Sequence, residues 1–317
     1  MVTGYNARQI VAPPTWAPSP YGLLSAVDLR PAADMHWQMG VTWEDVCGGA
    51  GTTVVDCATS APVITGSGMI PAKQATTSRS FWGATPFTVF VEIDCSPIDF
   101  YDQRDTIINT AMDRYESYAV ERAFWTGFAL DRNGSGGVAN AVLPHLASNG
   151  TITEQMGGTP TKSVTLQQTA TVVTGVALNV LDAMGALEGA LAGCLNGTGT
   201  IHIPQALAPT MALVLQRTGS RLTTPNGNTV ALGAGYPGTS PAGATPALGQ
   251  AWMYATGPIF AYRSTPKIVG DPSQTIDRST NTMKVIIERT YVMGYDCCLF
   301  AQLVNTASFI ATSTTTP

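Results

Sequence analysis

The chain has 317 residues, of which 21 are acidic and 16 basic, so 12% carry charge and the net charge is −5. Soluble domains average about 25% charged residues, whereas here 42 threonines outnumber all the charged side chains together. With 44% apolar residues long disorder is excluded, and 4 lysines and 12 arginines scattered singly leave no basic stripe to neutralise a nucleic-acid backbone.

At roughly 150 residues per domain, the length suggests about two domains. The first fifteen residues lack the basic flank and apolar run of a signal peptide, and no apolar run reaches the ~18 residues of a membrane span. Neither export nor a membrane location is therefore expected. In such a chain the cysteines at 47, 57, 95, 194, 297 and 298 are expected to be reduced, buried thiols. No pair has zinc or redox spacing; the adjacency of Cys297 and Cys298 is what leaves a disulfide or a metal as the alternative.

In chain order, residues 1–42 open on VAPPTWAPSPYG, where Pro13, Pro14, Pro18 and Pro20 fix φ and remove donors. This predicts an extended arm whose aromatics, Trp16 and Tyr21, need cover from another surface. TTVVDC and PFTVFVEIDC then read as the two strands of a long β-hairpin, with a tip rich in Gly, Ser and Thr over 60–80. Val89, Val91 and Ile93 mark one face of the second strand, and Phe90, Glu92 and Asp94 the other.

Ser96-Pro97-Ile98-Asp99 places a hydroxyl at the N-cap, proline at the first helical position and an acid two residues on. A helix is expected over 97–126, about 30 residues and ~45 Å long. Its apolar stripe is Ile108, Met112, Tyr115, Ala119 and Ala123, and Gly127 stops it. That length suits a spine crossing a whole domain. Residues 131–162 are loop-rich. A second helix is predicted over 175–195, with Val176, Val180, Met184, Leu187 and Leu191 as its stripe and Asn196-Gly197 as its end.

TIHIP reads as a buried strand, 205–216 as a further helix, and 223–232 as a hairpin around Asn226-Gly227, the pair suited to a type I′ turn. After a loop over 237–247, strands are expected at 252–254, 259–262 and along MKVIIERTYVMGYDCCLFAQLV, 283–304, before a Thr-rich tail. No internal repeat is visible.

No cofactor or metal site emerges. Gly233-Ala234-Gly235-Tyr236-Pro237-Gly238 matches GxGxxG, but Pro237 opposes the helix that must follow and no acid stands ~20 residues on. His36, His145 and His202 are too dispersed for a metal; His202, in an apolar strand, reads as a core histidine. No nucleophile elbow, HExxH or P-loop occurs, Glu44 and Asp45 read as a solvated face, and the sequons at Asn133, Asn149 and Asn196 as turns. The chain is not expected to be an enzyme.

The order of elements resembles the major capsid proteins of tailed bacteriophages, the Hong Kong 97-type fold, over nearly the full chain. The resemblance rests on YAVERAFWTG at the end of the long helix, TIHIPQALAPTMA, the loop VALGAGYPG, and MKVIIERTYVMG with its pair Glu288 and Arg289. It implies an α+β fold: an N-terminal arm at 1–42, an extended β-hairpin loop at 43–96, and a peripheral domain at 97–162 built on a spine helix. An α/β axial domain would follow at 163–265, with peripheral return strands and tail at 266–317. It further implies a shell subunit assembling as hexamers and pentamers around double-stranded DNA in a virion formed in the host cytoplasm. Scaffolding, portal and decoration proteins would be possible partners, and no long charged helical prelude precedes Trp16, so scaffolding would be a separate protein or a removed segment. Trp16, Tyr21 and Trp82 become candidates for contact with neighbouring subunits. Some family members join a loop lysine to a neighbour's asparagine with help from a glutamate; Lys73, Asn281 and Glu288 stand at matching places, and a surface lysine beside a strand glutamate is the plain alternative. The alternatives to a phage shell are an encapsulin-type nanocompartment, which shares the fold, a two-domain Ser or Thr hydrolase, and a tail or decoration protein.

Overall fold

In the computed structural model the described residues are 17, 19–31, 34–44, 81–95, 104–127, 143–156, 162–212, 214–269, 276–277, 279 and 282–306. They build an α+β fold of three sheets around one long helix.

The first sheet is organised by the strand β16 (Thr282–Tyr295). Along one edge it pairs antiparallel with β4 (Phe87–Cys95), from Met283 opposite Cys95 to Tyr291 opposite Phe87. Its other edge takes β13 (Ile259–Arg263), β14 (Lys267–Val269) and β15 (Ile276–Asp277) in succession. Strand β1 (Asp28–Arg30), which follows the short helix α1 (Leu23–Ala26), adds to β13 in parallel. PFTVFVEIDC is thus a strand, but its partner is the C-terminal return strand. The hairpin expected between it and TTVVDC is replaced at its base by β2 (Val41–Glu44) and β3 (Phe81–Ala84), which pair antiparallel with Trp43 opposite Trp82. Pro86, which has no N–H, separates β3 from β4 and lets the chain change sheets. TTVVDC lies outside the described residues.

The spine helix α2 (Arg104–Thr126) packs across β4 and β16, and its expected cap at 96–99 lies outside the described residues. Its buried stripe is Ile108, Met112, Glu116, Val120, Ala123 and Phe124. Tyr115, placed in the stripe by the sequence reading, is 61% exposed. The stripe keeps its spacing of four by passing through Glu116, which becomes buriable because a cation on β16 neutralises it. Gly127 ends the helix at φ 71, as its position suggested.

The strands β5 (Ile152–Met156) and β6 (Lys162–Gln167) extend β2–β3 into a four-stranded sheet, so this part of 131–162 is not loop. The third sheet has the order β7-β17-β12-β8-β11-β10-β9. Its strands are β7 (Thr171–Val172), β8 (Thr200–Pro204), β9 (Gln216–Thr218), β10 (Arg221–Thr223), β11 (Thr229–Gly233), β12 (Gln250–Thr256) and β17 (Leu299–Asn305). TIHIP, as β8, is buried at every position between β12 and β11. Helix α3 (Val180–Leu195) covers this sheet. It starts at Asn179, whose side chain caps Asp182 N at 2.9 Å, so Val176 stays outside and 63% exposed, while Asn196 ends it at φ 50.

Two other expectations change. Residues 205–216 give a 3-10 turn, a single α-helical turn α4 (Ala208–Met211) and the edge strand β9 in place of one helix. Pro209 offers no N–H to continue a ladder from the turn before it, and β9 instead pairs with β10. The hairpin β10–β11 forms, but only Gly227 of Asn226-Gly227 takes a positive φ, 87°. The turn begins at Thr224-Pro225, with Gly227 N donating to Thr224 O at 2.9 Å, so the conformation is not type I′. Finally, 283–304 breaks at Asp296-Cys297-Cys298, where Cys297 stands at φ 60 and the chain passes from the first sheet to the third.

Cys194, near the end of α3, and Cys298, at this break, form a disulfide with their Cα atoms 6.5 Å apart, and Cys297 is disulfide-bonded as well. The expectation of reduced thiols is corrected: folding brings the end of a helix onto a chain reversal 104 residues away, a proximity no local spacing encodes.

Candidate assembly surfaces

Three distant segments meet at Glu121 on α2. Its carboxylate accepts Leu23 N at 3.0 Å, from the root of the arm, and Gly235 N at 2.8 Å, from the glycine-rich loop, with Ser117 Oγ at 3.3 Å. Burial raises its carboxyl above the usual carboxylate range, while the backbone donors work in the opposite sense. The fit leaves no room at either glycine: a Cβ on Gly22 would lie 2.4 Å from Glu121 Oε1, and one on Gly235 2.3 Å from the Tyr118 carbonyl. VALGAGYPG is therefore the loop that seats on the spine helix, with glycines for close backbone approach.

A second clamp ties α2 to β16. Arg289 Nη1 donates to Glu116 Oε1 at 2.5 Å, and the Tyr291 hydroxyl donates to the same oxygen. At the far end Trp125 lies between Tyr236 and Tyr254, with centroids 4.9 and 4.8 Å away, and its Nε1 donates to Thr239 Oγ1 at 2.9 Å. His202 is fully buried between Tyr236 Oη, 3.0 Å, and Thr256 Oγ1, 3.1 Å, and burial pushes its pKa down to about 3. It is a neutral core histidine, as the sequence suggested. Glu188 on α3 receives Thr224, Asn226 and Asn228 of the β10–β11 turn.

Among the residues singled out from sequence, Trp16, Lys73 and Asn281 lie outside the described residues. Tyr21 is half-buried; its carbonyl accepts Leu232 N at 2.8 Å and Arg217 stands 5.4 Å over its ring. Trp82 is 7% exposed, packed near Tyr295 in the subunit's own core, so its cover comes from this chain. Glu288 is half-buried on β16, opposite Phe90 on one side and Lys267 on the other. Sequence reading missed Glu116 and Glu121 as anchors; for Glu116 the available signal was an acid four residues from both Met112 and Val120. No group of three or more His, Cys, Asp or Glu side chains converges as a metal site among the described residues, and none of their helices is long and apolar enough to cross a membrane.

What remains outward is apolar in places that matter for packing. Ile107, Tyr115 and Tyr118 are exposed within about 80° of one another around α2, at 100° per residue. Phe90 is exposed on the opposite face of the first sheet, away from the buried Val89.

No family model and no curated protein matches the sequence. Solved structures do match. The capsid of an empty GTA particle is 11% identical, with 95% of each chain covered and a TM-score of 0.53. A chain of Microbacterium phage Oxtober96 is 10% identical, with 96% of each chain covered and a TM-score of 0.51. The chain has the Hong Kong 97-type capsid fold. In the terms of that fold, α2 is the spine helix and β16 the long strand it lies against. The final strand β17 belongs to the third sheet, while β16 just before it organises the first.

Proposed function

We propose that this chain is the structural subunit of an icosahedral capsid of a tailed double-stranded DNA bacteriophage. One observation carries the reading: a fold that aligns with capsid chains over 95% or more of both chains. The composition supports it, since a chain with 12% charged residues has little charge to desolvate when its surface meets neighbours. The aromatic stripe on α2 and the exposed Phe90 are the surfaces we assign to those contacts. Hexamers and pentamers, a virion location, assembly in the host cytoplasm, and scaffolding, portal and decoration partners belong to the same reading, with the DNA enclosed and not read by sequence. Trp16 and Tyr21, on the arm, are assigned to neighbour contact.

Expression of the chain alone and with a co-expressed scaffold, followed by gel filtration and negative-stain microscopy, tests this. Shells, or rings of five and six subunits, are expected. A monomer that stays monomeric under both conditions overturns the reading.

A further inference from the structure

Four Asn-Gly pairs stand in the sequence, at Asn133, Asn149, Asn196 and Asn226, and the last three lie among the described residues. Glycine after asparagine leaves the side-chain amide carbon open to attack by the next backbone nitrogen, because no Cβ shields that nitrogen and the peptide plane turns easily. Both reacting groups belong to one chain, so the rate follows from how the fold holds them.

The three pairs are held differently. At Asn226 both groups are occupied: Nδ2 donates to Glu188 Oε2 at 2.8 Å, and Gly227 N donates to Thr224 O at 2.9 Å. At Asn149, Ser148 Oγ donates to Gly150 O at 3.1 Å and closes a ring across the Asn149–Gly150 peptide. At Asn196 neither group is held. Asn196 and Gly197 are exposed, and among the described residues no hydrogen bond engages the Asn196 side-chain amide or Gly197 N. A Cβ on Gly197 would meet only Leu195 O, at 3.8 Å, so the peptide there has room to turn.

We propose that Asn196 is a site of spontaneous deamidation. Gly197 N attacks Asn196 Cγ while its proton passes to a base in solvent; the bond from Cγ to Nδ2 breaks, ammonia leaves, and a five-membered succinimide remains. Water then opens either carbonyl of the ring, giving aspartate or isoaspartate, with no change of oxidation state. Both products act on the joint between α3 and the third sheet. Asn196 closes α3 at φ 50 and ψ 30, its N–H donating to Ala192 O at 3.0 Å. Cys194, two residues earlier, is bridged to Cys298, and Gly199 N, three residues later, donates to Asn228 Oδ1 at 2.9 Å. Aspartate sets a negative charge at the carbonyl end of the helix. Isoaspartate adds a backbone atom to a short link fixed at both ends. Ageing at Asn196 thereby loosens α3 from the sheet it covers. The inference goes beyond shell assembly and does not depend on it.

Full-length protein is incubated in mildly alkaline buffer, then reduced, digested with trypsin and mapped by mass spectrometry over time. Asn196 and Asn226 fall on separate peptides, 163–217 and 222–263. Asn196 is expected to convert first, about tenfold faster than Asn226, the factor set by hydrogen bonds that Asn226 and Gly227 must break before attack. In urea the three rates should converge, because the fold no longer distinguishes them. Gly197→Ala, at a position outside the left-handed region and with space for a Cβ, should slow conversion at Asn196 alone. Asn196→Asp should lower the urea midpoint of the native protein. Conversion of Asn149 or Asn226 ahead of Asn196 overturns the inference, and that comparison within the native chain stands even if a variant fails to fold. So does a product free of isoaspartate, or an Asn196→Asp midpoint equal to the native one.

Discussion

The carboxylate of Glu121 accepts the backbone N–H of Gly235 at 2.8 Å, and through that bond a glycine-rich loop from the third sheet is held on the spine helix. Because the same carboxylate takes Leu23 N, one side chain fixes the root of the arm, the helix and the loop relative to one another. Removing it leaves two buried N–H groups without an acceptor, each costing about 1–3 kcal/mol. Glu121→Ala is therefore expected to destabilise the subunit by about 2–5 kcal/mol, and Glu121→Gln by less, since the amide oxygen still accepts one of the bonds. Urea unfolding of the three proteins measures the ranking.

The same residue gives a pH dependence of defined sign. Its folded pKa is raised by burial, so its contribution to stability is fully present below the unfolded carboxylate pKa and is lost as pH rises through the folded value. The stability of the native protein relative to Glu121→Gln should decline as pH rises from about 4 towards neutrality. Melting both proteins across that range checks it; a relative stability that rises with pH contradicts the assignment.

Gly235→Ala places a Cβ 2.3 Å from the Tyr118 carbonyl, a backbone atom that cannot swing aside. An overpacking cost of about 1–3 kcal/mol is expected. Alanine in place of Gly243, whose Cβ would meet nothing within 4 Å but which has φ 75, should show only the smaller cost of a left-handed backbone. The two midpoints in urea separate clash from conformation.

The Cys194–Cys298 bond closes 104 residues of chain, for which chain-entropy bookkeeping gives about 4–5 kcal/mol and measured bridges typically 2–4 kcal/mol. A reducing agent should lower the melting temperature, and Cys194→Ala should reproduce part of that drop under non-reducing conditions. Alkylation before and after reduction, read by mass spectrometry, identifies the pair. Unmodified susceptibility of both thiols without reductant would show the bridge unformed.

The assembly reading separates two truncations. Deleting residues 1–20 leaves Leu23 and Ala26 in the chain, and should impair particle formation while the subunit still melts cooperatively. Deleting residues 1–26 removes those two side chains and the Glu121–Leu23 bond, and should cost folding itself. Circular dichroism and sedimentation of each variant distinguish the outcomes.

Particles are expected to be held noncovalently, with Lys73 an ordinary surface lysine. Boiling in detergent should give a single monomer band of 33.2 kDa; ladders abolished by Lys73→Ala would establish the cross-link with Asn281 and Glu288 instead.

Local chemistry made much of the fold legible. Val89 facing inward and Phe90 outward follow from strand alternation, the stops at Gly127 and Asn196 from their tolerance of positive φ, and the burial of TIHIP from its paired isoleucines. Tyr115 and Glu116 show where such reading fails. Hydrophobicity ranks the tyrosine inward, yet Arg289, 173 positions away, makes the glutamate the buried one.

The sequence by itself determined the long helix, the alternating strands, the low charge and the order of elements, because each depends on residues within a few turns of one another. Tertiary structure alone decided that PFTVFVEIDC pairs with β16, that Cys194 meets Cys298, and that Gly235 closes on Glu121. Those choices depend on which distant segments complement one another in shape, charge and hydrogen bonding. Such complementarity exists only once the chain has folded.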